Sequence, residues 1–96
     1  MIKIAVMGHG VVGSGTVEVF YKNRENICKK CGTDVDIKYI LDLRDFPSLP
    51  YSDKFTKSFD DIINDDEVKV VVEVMGGLNP AYDYLKRCLS SGKSVV

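Results

Sequence analysis

Ile2-Lys3-Ile4-Ala5-Val6-Met7 is a short, mostly apolar run closed by Gly8, a length that suits a buried strand better than a helix. From Val11 to Lys30 the period changes. Val12, Thr16, Val17, Phe20, Arg24, Ile27 and Cys28 recur at steps of three and four, the stripe with which a helix covers a sheet. Gly32 after Lys29-Lys30 predicts a left-handed stop, with cations at the negative end of the helix. Gly15 inside this helix costs roughly 1 kcal/mol relative to alanine, which a closely approaching neighbour would explain. Val35 to Leu43 alternates Val35, Ile37, Tyr39, Leu41 and Leu43 with Asp36, Lys38, Ile40 and Asp42, predicting a strand with one more polar face, away from the sheet centre.

Arg44 to Pro50 carries two prolines and reads as a loop. Lys54-Phe55-Thr56 predicts a brief strand. Ser58 is placed to cap a short helix over Phe59 to Asn64, with Asp60 and Asp61 in its favourable first turn. Val68 to Met75 is β-branched and nearly continuous, the strongest strand of the chain. Gly76-Gly77 ends it. Asn79 and Pro80 open a helix whose buried stripe is Ala81, Leu85, Cys88 and Leu89, and Gly92 stops it. Ser94-Val95-Val96 starts a further strand. Alternation of this kind predicts one α/β domain over 1–96, a Rossmann-like three-layer parallel sheet with helices on both faces. The sequence ends inside an apolar strand, which predicts the N-terminal piece of a longer enzyme, truncated before a catalytic and dimerisation domain.

Charge and composition narrow the function. Thirteen basic and 14 acidic side chains give a net charge of −1, which excludes a strongly basic nucleic-acid module. No apolar run approaches the ~18 residues of a membrane-spanning helix. Three cysteines, an odd number, argue against a disulfide framework and fit a reducing cytoplasm. Cys28-Lys29-Lys30-Cys31 is a C-x-x-C at a helix end without a second such pair, so we read Cys28 as core and Cys31 as surface. A single histidine excludes a multi-histidine metal site, and no metal is expected. Asp60, Asp61, Asp65, Asp66 and Glu67 read as a solvated face.

Gly8-His9-Gly10-Val11-Val12-Gly13 matches G-x-G-x-x-G between a predicted strand and a predicted helix, the context in which it signals dinucleotide binding. Gly8 permits the tight turn, Gly10 lets backbone approach a pyrophosphate, and Gly13 lets helix pack on strand. The amides near Val11 and Val12 point at the anion, with the helix dipole behind them. His9 is read as a partly exposed loop side chain beside the pyrophosphate. The end of the second strand faces the adenosine ribose, and Asp42 and Arg44 share strand parity there. An acid accepts both ribose hydroxyls, whereas an arginine pairs with a 2′-phosphate. Which of them reaches the ribose decides between NAD and NADP, and we expect NADP through Arg44. Gly76 and Gly77 lie beside the predicted switch point and leave room for the nicotinamide end.

The stretch Ile4 to Gly15 resembles the opening of homoserine dehydrogenase. Arg44-Asp45 is similar to a pair that this family carries after its second strand. Val70 to Gly77 with Pro80-Ala81, and Gly92-Lys93-Ser94-Val95-Val96, resemble its more specific segments. His9 and Lys69 depart from the commoner leucine or phenylalanine and acidic residues. The resemblance implies an NAD(P)-dependent oxidoreductase interconverting L-homoserine and L-aspartate 4-semialdehyde, homodimeric when intact. Its catalytic residues and small-molecule substrate site would then lie outside this chain, leaving a piece that binds nucleotide without turnover. It also supports reading Glu73 as a group that bonds loop amides near the crevice, the other reading being a pleat open to solvent. The alternative to the enzyme is a stand-alone dinucleotide-binding or redox-sensing module.

Overall fold

The computed structural model describes residues 1–75 and 81–96. The strands are β1 (Ile2–Met7), β2 (Val35–Leu41), β3 (Phe55–Thr56), β4 (Val68–Glu73) and β5 (Ser94–Val95), and the helices α1 (Val11–Cys31), α2 (Phe59–Ile63) and α3 (Ala81–Ser90). All strand pairs are parallel, in the order β3-β2-β1-β4-β5. The chain runs outward from β1 to β3, then crosses back to β4 on the other side of β1. The switch point between β1 and β4 is where open α/β sheets form ligand crevices.

Two cores lie on the two faces of the sheet. Against α1, Val6, Val35, Ile37 and Ile40 pack on Val17 and Phe20. On the other face Ala5, Met7, Leu41, Val68 and Val71 pack on Phe59 and Ile62 of α2 and Cys88 of α3. The single parity expected for β2 does not hold. Ile4 pairs with Ile37 but Ala5 with Tyr39, so Lys38 is an extra, bulged residue. Beyond it Ile40 returns to the α1 face while Tyr39 and Leu41 face α2. β4 does the same one step earlier: Lys3 pairs with Val68 and Ile4 with Val70, leaving Lys69 extra. A bulge resets alternation, and periodicity alone does not reveal it.

α1 ends as its sequence predicts, at Gly32 with φ of 72° and its N–H donating to the Lys29 carbonyl. Val12, expected in the buried stripe, is 67 % exposed. Among the described residues Gly15 has no neighbour within 4 Å of where a Cβ would stand, so no close approach there explains it. In α3, Leu85 and Cys88 reach the core but Leu89 is 64 % exposed. Tyr84 packs instead, stacked on Phe59 with ring centroids 4.1 Å apart. Ser58 precedes α2 without a side-chain cap; Thr56 accepts the Ser58 N–H and donates to Asp61. Asp65 does not lie on a solvated face. It pairs with Lys38 and accepts the Tyr39 hydroxyl, which holds its carboxyl below the usual range. Lys93 is buried and donates to the Asp65 and Val68 carbonyls, tying β5 to the loop before β4. Cys28 packs against the α1-side core, with its Sγ accepting the Val35 N–H, and Cys31 is exposed. Asn79 and Pro80, expected to open α3, lie outside the described residues.

Candidate functional site

The glycine turn joins β1 to α1 at the switch point. Gly8 sits at φ of 105°, a region that L side chains rarely adopt. Its N–H continues the ladder to Leu41 O, while Met7 O accepts the Val74 N–H from the other side. Gly13 is required by packing: a Cβ there would lie 2.1 Å from Gly8 O and 3.2 Å from Val74 Cγ2. Gly10 differs from both. Its φ of −78° suits any residue, and a Cβ would meet nothing within 4 Å among the described residues. Packing among the described residues therefore makes no demand for glycine at position 10. The first helical hydrogen bond runs from Ser14 N–H to Gly10 O, so the amides of Val11, Val12 and Gly13 have no intrahelical acceptor. Val11 and Val12 are exposed. Free amides, a dipole end and open space fit the diphosphate of a dinucleotide.

A cleft of about 390 Å³ opens here, at the C-terminal ends of β1, β2 and β4. Gly8 and Gly10 form one end, Asp42, Arg44 and Lys57 one wall, and Val74, Met75 and Tyr84 the other. Asp42 follows β2 and is saturated. Its Oδ2 accepts the His9 N–H at 2.9 Å and Arg44 Nη2 at 2.9 Å; its Oδ1 accepts the Arg44 N–H at 2.9 Å and Arg44 Nε at 3.0 Å. These bonds, the Arg44 side chain foremost, hold the Asp42 carboxyl down at about 2. The Arg44 side chain itself is 62 % exposed. Lys57 lies just past β3 and pairs with Asp45 at 3.0 Å. Asp42 and Arg44, expected to compete for the ribose, thus clasp each other.

His9 corrects the expectation of a partly exposed loop side chain. It is 5 % exposed. Its ring packs edge-on against Phe46 (centroids 4.7 Å apart), Phe55 (4.9 Å) and Tyr51 (5.7 Å), and Nε2 lies 2.9 Å from the Tyr51 hydroxyl. Nδ1 is buried without a hydrogen-bond partner among the described residues. Burial pushes the imidazole pKa down, against the opposing pull of Asp42. The cage had one signal in the sequence, three aromatics spaced through and just after a two-proline loop, which is a small core rather than a solvated link. Lys57 carried no signal, because its place at the cleft depends on β3 pairing with β2.

Glu73 bonds a loop amide: its Oε1 accepts the Met75 N–H at 2.5 Å. Gly76 and Gly77, expected to make room at the crevice, lie outside the described residues. Among the described residues no cluster of His, Cys, Asp and Glu is set to hold a metal ion, and no helix is long and apolar enough to cross a membrane.

Comparison with known proteins agrees with this geometry. The family described as "Homoserine dehydrogenase, NAD binding domain" matches residues 8–96. Homoserine dehydrogenase of Bacillus subtilis is 34 % identical over 100 residues, covering 99 % of this chain and 23 % of that protein. The Lactococcus lactis enzyme is 31 % identical over 101 residues, with the same coverage. A crystal structure of S. aureus homoserine dehydrogenase superposes with a TM-score of 0.87 at 36 % identity, covering 98 % of this chain and 24 % of that one. The chain spans about a quarter of the length of the relatives it matches.

Proposed function

We propose, since the chain belongs to the homoserine dehydrogenase NAD-binding domain family, that it holds NADP(H) for an oxidoreductase interconverting L-homoserine and L-aspartate 4-semialdehyde. The nicotinamide cofactor supplies the hydride chemistry when bound. The chain's residues bind and orient it: the Val11, Val12 and Gly13 amides receive the diphosphate, Gly10 gives it room, and Gly8 and Gly13 shape the turn. Gly76 and Gly77 are proposed to border the nicotinamide end. The observation that carries this reading is Gly10, a glycine that neither backbone conformation nor packing requires, beside free amides. Gly10→Ala is therefore expected to leave the melting temperature nearly unchanged while weakening dinucleotide binding roughly tenfold or more, measured by isothermal titration. Unchanged affinity would refute it.

The state of Asp42 supports NADP over NAD. A carboxylate offers about four acceptor sites, and all are in use. A ribose hydroxyl must displace a donor, whereas a 2′-phosphate adds to the exposed guanidinium without disturbing the clasp. Arg44→Ala should cost NADPH roughly tenfold in affinity and leave NADH equal or better, since it frees acceptors on Asp42. An unchanged NADPH-to-NADH ratio would overturn this assignment. The chemistry is taken to need groups outside these 96 residues, as is any dimer of the whole enzyme, so the chain alone binds without turnover. Homoserine-dependent NADP⁺ reduction by the chain alone would refute that.

A further inference from the structure

The glycine end of the cleft and its Asp42–Arg44 wall are remote in sequence, and one residue joins them. His9 leaves the glycine turn and enters a cage built by the segment that follows Arg44. Its ring meets Phe46 and Phe55 and reaches the Tyr51 hydroxyl at 2.9 Å. Its backbone N–H donates to Asp42, which holds Arg44 by three further bonds. Tyr51 in turn stacks on Phe55 (6.0 Å) and on Tyr21 of α1 (5.8 Å). The amides proposed to take the diphosphate and the guanidinium proposed to take the 2′-phosphate therefore share one rigid connection.

We infer that His9 and Tyr51 are a positioning pair: the bond between Nε2 and the Tyr51 hydroxyl fixes the glycine turn against the Arg44 segment, so that both phosphate groups of one NADP(H) are gripped at a set spacing. The inference rests on the NADP(H) reading above. The pair touches neither phosphate; it acts through Asp42, Arg44 and the turn. The device depends on a neutral ring. An imidazolium needs an acceptor at both nitrogens, and the buried Nδ1 faces none among the described residues. The charged and titratable groups around it are Asp42 and Arg44 after β2, Glu18 on α1 and Tyr51, with Tyr21 behind Tyr51. Asp42 and Glu18 favour the charged ring; Arg44 and burial oppose it, burial most strongly.

The test is a titration of the 96-residue chain with NADPH and NADH, comparing wild type, Tyr51→Phe, His9→Phe and the double variant. Tyr51→Phe keeps the stacked ring and removes only the hydroxyl. It should weaken NADPH roughly threefold to tenfold and NADH less, because NADH has no 2′-phosphate to align. His9→Phe should show a similar loss, and the double variant no more than either single one, since both remove the same bond. On lowering pH from 7.5 to 5.5, NADPH affinity of wild type should fall relative to His9→Phe. Acid that tightens wild-type binding relative to His9→Phe would place the imidazole on the diphosphate itself and overturn the proposal. So would additive losses in the double variant, or wild-type affinity in Tyr51→Phe. If the wild-type chain fails to bind NADPH, both this proposal and the reading beneath it fall; normal binding with an unaffected Tyr51→Phe refutes the positioning pair alone.

Discussion

Gly13→Ala puts the tightest of the described glycine positions to the test. The new Cβ would stand 2.1 Å from Gly8 O and 2.8 Å from Gly8 C, inside the 3.0 Å that real Cβ contacts essentially never breach. The opposing atoms are backbone, in a turn whose φ of 105° leaves it little freedom to move. Relief must come from α1, which has to draw back by about 1 Å at its first turn. Overpacking of this kind costs about 1–3 kcal/mol. Withdrawal also opens a gap beneath Val17 and Phe20, where a 0.5–1 Å separation forfeits roughly a quarter to a half of each dispersion contact. Alanine returns up to about 1 kcal/mol of helix propensity. The net loss is about 2–4 kcal/mol, a large part of the ~5–14 kcal/mol available to a domain of this size. At roughly 4–8 °C per kcal/mol, the melting temperature should fall by roughly 8–32 °C. Thermal and urea unfolding followed by circular dichroism read this directly. A Gly13→Ala chain within about 0.5 kcal/mol of wild type would show that the helix does not rest on the turn as described.

Two further outcomes follow from the same site. Gly15→Ala is the same exchange two residues later, in helix with nothing within 4 Å of the new Cβ, and should raise stability by about 0.5–1 kcal/mol; a loss in urea midpoint would show a neighbour there. Asp42 sets an acid limit. Its folded carboxyl lies near 2, below the ordinary 3.8, so its contribution is complete above pH 4 and is lost as pH falls from about 4 to about 2. Asp42→Asn should flatten that part of the stability–pH curve, and an unchanged acid slope would contradict the four-bond clasp.

The order of elements was legible because each has a local cause. A short apolar run marked β1, a nearly continuous β-branched run marked β4, a three-and-four stripe marked α1, and Gly32 marked its stop. The glycine fingerprint was legible for the same reason, since turn, dipole and close packing are all properties of consecutive residues. What was not legible depends on residues brought together by the fold. His9 is buried because Phe46, Tyr51 and Phe55 close over it, and none of them is near it in sequence. Asp65 left its apparent solvated face because the bulge in β2 brings Lys38 and Tyr39 to it. Leu89 and Tyr84 exchanged roles because Phe59 offers a flat ring to stack on. Alternation in β2 failed at one residue, and after that residue every side chain changes face.

The glycines and Asp42 lead to one physical point about recognition. Gly8 and Gly13 satisfy demands made within the chain, so the turn holds its shape without a ligand. Asp42 adds to this by bonding the His9 amide and orienting Arg44 before anything binds. Binding to a site already in shape avoids the ordering cost that weakens flexible sites, roughly 0.5–1.5 kcal/mol for each side chain immobilised. Under the NADP(H) reading proposed above, the same preparation sets the choice of ligand. Donors remain open at the amides of α1 and on the exposed guanidinium, while the one carboxylate between them has no acceptor left. A site with open donors and closed acceptors favours groups that only accept, which describes a diphosphate and a 2′-phosphate and does not describe a free ribose diol. Selectivity for the phosphorylated dinucleotide would then come as much from the occupied Asp42 as from the charge on Arg44.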